Sequence, residues 1–476
     1  MPRRRRGAHL RSLRLQPSPV DRPDPPPRLH LQLVQIFHRR LRRRGVRILA
    51  GTLCGGGRAV QPLRRLDVGL PPRLARSLVA AAGQPPQGLV RETIHVLVPG
   101  TDHLFPPAGG QMRALLVPIA LGAFGVGLGR TLAMIASLLT ARGWQVTVLA
   151  GRPLELERIE QRFGIPLADL EVRLWPAAGR PRGRWRRALY DRARHLAFCR
   201  LSRRFDLLWM QSPHIPPISL ARRSILFTEF PFDVEPRALF WRRRLAAYDR
   251  IVANSAFTRG WIERYWGVGA GVFYPSVQEC APAAKEPSIL AAGRFTGGER
   301  SKRQLELVRA YKAMVAQGLD GWPLHLAGIV EDPAYLAAVR REARGYDVRL
   351  HLDLDAGDLA RLYGRSSIFW HATGLGADAE RAPHALEHFG IVTAEAMTAG
   401  CVPVVFGRGG QAEIVRPGEG FTWLTPDELV RHTFTLVRDD ARRRAMAEKA
   451  RASAVERFGE AAFAARLDDL IGAGGS

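Results

Sequence analysis

The chain has 476 residues but only four cysteines and four lysines. Cys54, Cys199, Cys280 and Cys401 are widely spaced and form no CxxC. That excludes a disulfide scaffold, a thiol-redox pair and a cysteine zinc cluster, and reads as reduced, cytosolic thiols. A membrane span is missing too. Ala114 to Gly129 are sixteen uncharged residues, but they include Pro118 and four glycines, whereas a span needs about 20 apolar residues. Lys285, Lys302, Lys312 and Lys449 stand against a background in which arginine supplies nearly every positive charge. That bias reads as the mark of a GC-rich genome, so single arginines carry little weight and Lys302 somewhat more. A hydrophobic fraction of 46 % excludes wholesale disorder.

What is abundant is positive charge, a formal +27, and it is uneven. Residues 1–90 hold 19 Arg, no Lys and three acids, Asp21, Asp24 and Asp67, a net of +16. Arg runs alternate there with Pro and Gly clusters, and no apolar periodicity is sustained. A nucleic-acid-binding tail would have this composition. A targeting segment would need an apolar core and a cleavage site, and neither stands out. The favoured reading is that 1–111 is an extension or a mis-assigned start, with the folded part opening at Met112-Arg-Ala-Leu-Leu-Val-Pro. The short run Ile94–Val98 joins the fold only if the domain begins earlier.

From Met112 on, apolar runs alternate with helical spacings. Arg113–Leu121 reads as a strand, then a Gly-rich turn, a helix from about Arg130 to Ala141 and a strand at Gln145–Ala150. Asp206–Met210, Ser224–Thr228 and Arg250–Ala253 read as buried strands, the last followed by a helix that Asn254 or Ser255 would cap. Gln278–Pro287 reads as a linker. Beyond it come strands at Ser288–Gly293, Leu324–Ile329, Val348–Leu352, Ile368–Ala372, Val402–Phe406 and Phe421–Leu424, with helices between them. Two long helices finish the chain. Strands without period-two alternation, each followed by a helix, predict parallel sheets buried on both faces. The expected class is therefore α/β, with a domain over 112–280, a second over 285–460, and a terminal helix and tail over 461–476 crossing back to the first. Ligands in such sheets bind beyond the carboxyl ends of the strands.

Several short motifs have bland alternatives. Gly122–Gly129 lies where a phosphate loop belongs, but it breaks the GxGxxG spacing at Arg130, and no acid ends the next strand. A glycine turn needed only for packing explains it equally well. Asp353-Leu-Asp355 is a DxD that also reads as a strand end and helix cap. His384-Ala-Leu-Glu387-His388 matches HxxEH, a zinc-peptidase pattern that requires both histidines on one helix face. Pro383 and Gly390 leave that helix barely two turns.

The most specific feature is Glu387-His-Phe-Gly-Ile-Val-Thr-Ala-Glu395, two glutamates eight positions apart with a helix starting after the glycine between them. It resembles the E-x7-E motif of retaining glycosyltransferases of family 4, which have the GT-B fold. Ala253-Asn-Ser-Ala-Phe-Thr258, Tyr274-Pro-Ser-Val277, Gly293-Arg-Phe295 with Lys302, and Leu326-Ala-Gly328 resemble further family segments in the family's order, over roughly 112–470. The resemblance implies two Rossmann-like parallel-sheet domains facing across a cleft, with the donor in the second and the acceptor in the first. It implies a hexose moved from a nucleotide-diphosphate sugar with its configuration retained. Arg294 and Lys302 would neutralise the diphosphate, making a metal or other cofactor unnecessary. Phe389 and the backbone N–H groups of Gly390, Ile391 and Val392 would line the β-phosphate. Glu395 would take the ribose hydroxyls, and Glu387 would contact the sugar as a catalytic residue. Gly127 and Gly129 would form an acceptor or phosphate loop.

His214, after the strand Asp206–Met210, falls where family members often place a histidine near the sugar, though a packing role fits as well. Glu229 is a weaker candidate. Gly179–Phe205 holds ten arginines, one acid and an apolar helical stripe. It reads either as a helix lying on an anionic membrane, suited to a lipid-linked acceptor, or as a helix packed on its own sheet. The expected location is cytoplasmic, or peripheral on the cytoplasmic face of the inner membrane; the acceptor is a glycan, a lipid-linked molecule or a small molecule, and no nucleic acid is expected for the core. A zinc hydrolase using His384, Glu387 and His388, and a basic nucleic-acid-binding protein, stand as alternatives. A pyridoxal-dependent phosphorylase is disfavoured, because beyond the linker only Lys302, Lys312 and Lys449 offer an amine.

Overall fold

The computed structural model describes residues 95–96, 110–119, 128–167, 169–175, 181–212, 214, 216–232 and 239–472. The first sheet is built from β1 (His95–Val96), β2 (Arg113–Val117), β3 (Gln145–Ala150), β4 (Glu171–Leu174), β5 (Leu207–Gln211), β6 (Arg223–Thr228), β7 (Arg250–Ala253) and β8 (Gly271–Val272). The second contains β9 (Glu286–Ala292), β10 (Leu324–Gly328), β11 (Val348–Leu352), β12 (Ser366–His371), β13 (Val402–Phe406) and β14 (Phe421–Trp423). The strand orders are β1-β4-β3-β2-β5-β6-β7-β8 and β11-β10-β9-β12-β13-β14. Every described pairing is parallel. This is the two-domain Rossmann-like arrangement expected from the uninterrupted apolar strands. β1 precedes Met112 and pairs with β4, so the first sheet includes the run that the reading from Met112 set aside.

The helices follow as α1 (Leu128–Ala141), α2 (Leu156–Phe163), α3 (Arg184–Ser202), α4 (Leu239–Leu245), α5 (Ala256–Trp266), α6 (Gln304–Ala316), α7 (Pro333–Glu342), α8 (Ala356–Arg365), α9 (Ile391–Thr398), α10 (Gln411–Ile414), α11 (Pro426–Arg438), α12 (Asp440–Phe458) and α13 (Glu460–Ile471). Their starts follow local chemistry. Ser255 accepts from Thr258 N to cap α5. Asp332 followed by Pro333 opens α7, and Thr425 with Glu428 forms a reciprocal capping box on α11. Asp355 caps α8 by accepting from Asp358 N at 2.7 Å. The DxD is therefore a strand end and helix cap.

The chain ends in three helices rather than two, because Gly459 interrupts the last helical run. α12 packs in the second domain, where Ala450, Ala454 and Phe458 meet Phe389 and Met397. α13 lies on the first sheet, with Phe463, Leu467 and Ile471 among Leu116, Ile135 and Trp209. Arg130–Glu460 and Arg142–Asp468 ion pairs tie it there. No described helix is long and apolar enough to cross a membrane.

Candidate functional site

In both sheets the chain reverses direction beside a central strand, β2 between β3 and β5, and β9 between β10 and β12. The carboxyl ends of such strands form the binding crevice. β9 ends at Ala292, and Gly293-Arg294 follows. A Cβ on Gly293 would sit 2.7 Å from Lys302 Cγ, so only glycine lets the lysine stem pass the strand end. Lys302 precedes α6, and its Nζ reaches Glu387 Oε2 at 2.6 Å.

Glu387 has a second partner, His371 Nε2 at 3.0 Å. His371 is the last residue of β12 and is buried, and Thr373 Oγ1 lies 3.1 Å from the same nitrogen. Burial alone would raise the Glu387 carboxyl; Lys302 and His371 outweigh it and hold it well below the usual carboxylate range. The main chain of this segment is clamped from beneath. Gly410 N donates to Glu387 O at 2.7 Å. Side chains at Gly409 or Gly410 would strike the Glu387 and His388 carbonyls. Gly390 has φ +113 and faces the Gln411 amide, whose nitrogen and oxygen are buried without a partner in the described structure. α9 begins directly after Gly390, and the first N–H groups of a helix have no intrahelical acceptor.

Glu395, on α9, makes no ion pair among the described residues. Desolvation pushes its carboxyl up to about 7, against Arg130 and hydrogen bonds from the Gln278 backbone and Tyr363. Tyr363 is fully buried, and its hydroxyl donates to Glu395 at 3.5 Å. The two glutamates of the motif are thus driven apart, one firmly ionised and one near neutrality in its titration. Arg294, at the same strand end, is gripped by Glu331 through two contacts of 2.8 and 2.9 Å.

The first domain closes over this group. Phe230, beyond β6, stacks on His388 with ring centres 4.5 Å apart. Ala256 N, at the start of α5, donates to both oxygens of Glu413. Arg264 pairs with Glu380 at 2.5 Å.

Arg294, Lys302, Glu387, Gly390, Ile391, Val392 and Glu395 therefore gather around the ends of β9 and β12 and the start of α9. Phe389 does not line the site with its side chain, which is buried between Tyr274 and Phe458. His214 is exposed and stacks on Phe232 at 4.4 Å. Among the described residues its ring makes no contact with the Glu387 group. Gly129 is buried in the first turn of α1, and Gly127 lies outside the described residues. The zinc reading fails on geometry. His384 sits in a 3-10 turn, Pro383–Ala385, near Glu299, while His388 turns its Nε2 to the His384 carbonyl. No helix carries the two imidazoles, and among the described residues no three acid, histidine or cysteine side chains gather to hold a metal. His371, Tyr363, Glu331 and Gln411 were not singled out from the sequence. Only His371 carried a signal, a polar residue ending an apolar strand.

Residues 126–277 match the family described as Glycosyltransferase Family 4, and residues 278–453 match Glycosyl transferases group 1. The two matches are consecutive and together cover more than two thirds of the chain. No curated protein matches the sequence significantly. Among solved structures, a glycosyltransferase from Rickettsia africae is similar at TM-score 0.59 and 15 % identity, over 77 % of this chain and 100 % of that one. HepE of Anabaena, in complex with UDP and glucose, is similar at 0.56 and 16 %, over 76 % and 100 %. Sucrose-phosphate synthase of Thermosynechococcus elongatus is similar at 0.54 and 17 %, over 76 % and 98 %. These likenesses establish the GT-B fold.

Proposed function

Because the chain belongs to the family 4 type of glycosyltransferases, we propose that it moves a hexose from a nucleotide-diphosphate sugar to an acceptor held by the first domain, with the anomeric configuration retained and without a metal ion. The observation that carries this reading is the Lys302–Glu387–His371 chain, with Arg294 close by, at the mouth of the second sheet. Arg294 and Lys302 neutralise the diphosphate, which is the task a metal would otherwise perform. The N–H groups of Gly390, Ile391 and Val392, with the positive end of α9, hold the β-phosphate. Glu395 accepts from the ribose hydroxyls, and Glu387 accepts from a hydroxyl of the transferred sugar. The departing phosphate takes the proton of the acceptor hydroxyl on the same face. The protein's share of catalysis is positioning and stabilisation of the leaving charge. HepE binds UDP and glucose on this fold, which puts UDP-sugars first among donors to test.

The acceptor is a glycan, a lipid-linked molecule or a small molecule. α3 favours the lipid-linked case. Phe198 and Leu201 enter the core, but Trp185, Leu189 and Leu196 are exposed beside the arginines of the same helix. An exposed basic and aromatic face suits the anionic surface on the cytoplasmic side of a membrane.

A thermal-shift screen of the whole protein against UDP, GDP, ADP and their sugar conjugates, in the presence of a chelator, tests the reading. One nucleotide series should raise Tm, and Glu395→Ala should abolish the rise. Stabilisation by zinc alone in a parallel chelator-free series, with no nucleotide effect in either, would overturn it.

A further inference from the structure

Glu229 directly follows Thr228, the last residue of β6, at the cleft end of the first sheet. Its position is fixed from both sides. Its backbone carbonyl accepts from Thr258 Oγ1 at 2.9 Å, and Thr258 is fully buried in the first turn of α5. The next residue, Phe230, is the one that stacks on His388, which itself follows Glu387. The first-domain segment carrying Glu229 is thus wedged against the second-domain segment carrying Glu387. Among the described residues no cation and no hydrogen-bond donor pairs with the Glu229 side chain, and the charged groups that face it are Glu387 and Arg294.

We propose that Glu229 is a second carboxylate of the sugar subsite, opposite Glu387, and that the pair selects neutral or amino sugars and rejects donors whose transferred sugar bears a carboxylate. This rests on the reading of Glu387 as the group that meets the transferred sugar. The two acids would then meet the ring beside the cations proposed for the diphosphate, Lys302 being paired with Glu387 and Arg294 facing Glu229. A neutral ring offers hydroxyl donors to both acids, whereas a uronate ring brings a third negative charge between them.

The electrostatics give this selection a pH dependence. Burial first, then the Glu387 carboxylate, raise the Glu229 carboxyl to about 7, against the pull of Arg294. It is neutral below that pH and charged above it, so rejection of uronates strengthens as pH rises through about 7. His388, held down to about 4 by burial, stays neutral over this range.

The test compares dissociation constants for UDP-glucose against UDP-glucuronate, and for GDP-mannose against GDP-mannuronate, at pH 6 and pH 8. It uses the wild-type protein, Glu229→Gln and Glu229→Asp. Wild type should prefer the neutral donor by about 10-fold or more at pH 8, and less at pH 6, as like-charge juxtaposition requires. Glu229→Gln should lose the pH dependence and most of the preference while binding free UDP or GDP unchanged, and Glu229→Asp should retain both. Glu229→Gln keeping the wild-type preference and its pH dependence would overturn the proposal. Wild type binding neither UDP nor GDP would instead overturn the donor reading beneath it, a result distinct from the first.

Discussion

Lys302 Nζ lies 2.6 Å from Glu387 Oε2, and the two side chains are only 20 % and 17 % exposed. A pair this sheltered is worth more broken than made, because removing one partner strands the other's charge. The lysine is therefore held ready in the cleft by the same glutamate that the donor is proposed to meet.

Lys302→Met should cost about 1–3 kcal/mol of stability, the cost of an unsatisfied buried group, because Glu387 keeps its His371 contact, and weaken nucleotide-diphosphate binding by roughly 10- to 100-fold. Lys302→Arg should recover part of both. Thermal denaturation and titration calorimetry measure the two effects. The ionised Glu387 also gives a sign. Its folded pKa is depressed, so its stabilisation is present above the unfolded carboxylate value and is lost only as pH falls through its lower folded value.

Glu395 runs the other way. Its carboxyl is raised to about 7, so ionising it opposes folding increasingly from the unfolded value up to about 7 and fully above that. A ribose hydroxyl donates best to the charged form. Donor affinity should therefore improve between pH 6 and pH 8 in the wild type, while Glu395→Gln should bind weakly at both.

His371 is buried at the end of β12 and holds Glu387 at 3.0 Å, which assigns it a positioning role in the proposed reaction. His371→Ala should lower kcat by about 10- to 100-fold through misplacement of that carboxylate, while the affinity for free nucleoside diphosphate stays within a few-fold. A matched loss of nucleotide affinity would assign His371 to the binding surface instead.

His325 of β10 and His351 of β11 are offset by two residues in register, yet their rings meet with Nδ1 and Nε2 2.8 Å apart. Desolvation, then His351 and Arg349, push His325 down to about 4. A buried neutral histidine contributes stability that is present above its unfolded value, near 6.5, and is lost as pH falls toward 4. His325→Leu should reduce the stability lost over that window by on the order of 1–3 kcal/mol. Urea unfolding at pH 7 and pH 4.5 reads the difference.

Phe463 is fully buried among first-sheet residues although it lies beyond the second domain in sequence. Phe463→Ala should destabilise the first domain by about 3–5 kcal/mol. Limited proteolysis should then cut among 128–253 before 286–458.

Much of this architecture was readable one element at a time. Gln145–Ala150, Arg250–Ala253, Val348–Leu352 and Val402–Phe406 are strands with the boundaries their apolar runs suggested. β4 escaped notice because Glu171-Val-Arg-Leu alternates and lies near the sheet edge, only partly buried. β8 is two residues long, too short for any periodicity. His371 gives only a weak signal, because one histidine after the apolar run Ile368-Phe-Trp370 fits a core position as well. Phe389 reads as a candidate because it lies between Glu387 and Gly390, but its ring turns into the aromatic cluster with Tyr274 and Phe458.

The sequence by itself determined the two parallel-sheet halves and the eight-residue spacing of Glu387 and Glu395, because apolar runs, caps and glycine turns act over a few residues. Only the tertiary structure decided the charge each glutamate carries. Desolvation and Coulomb attraction depend on distance through space, and the groups that set them come from far along the chain. Lys302 reaches Glu387 across 85 positions and Tyr363 reaches Glu395 across 32. Glu229, 158 positions before Glu387, faces it only once both sheets have formed and their strand ends lie together.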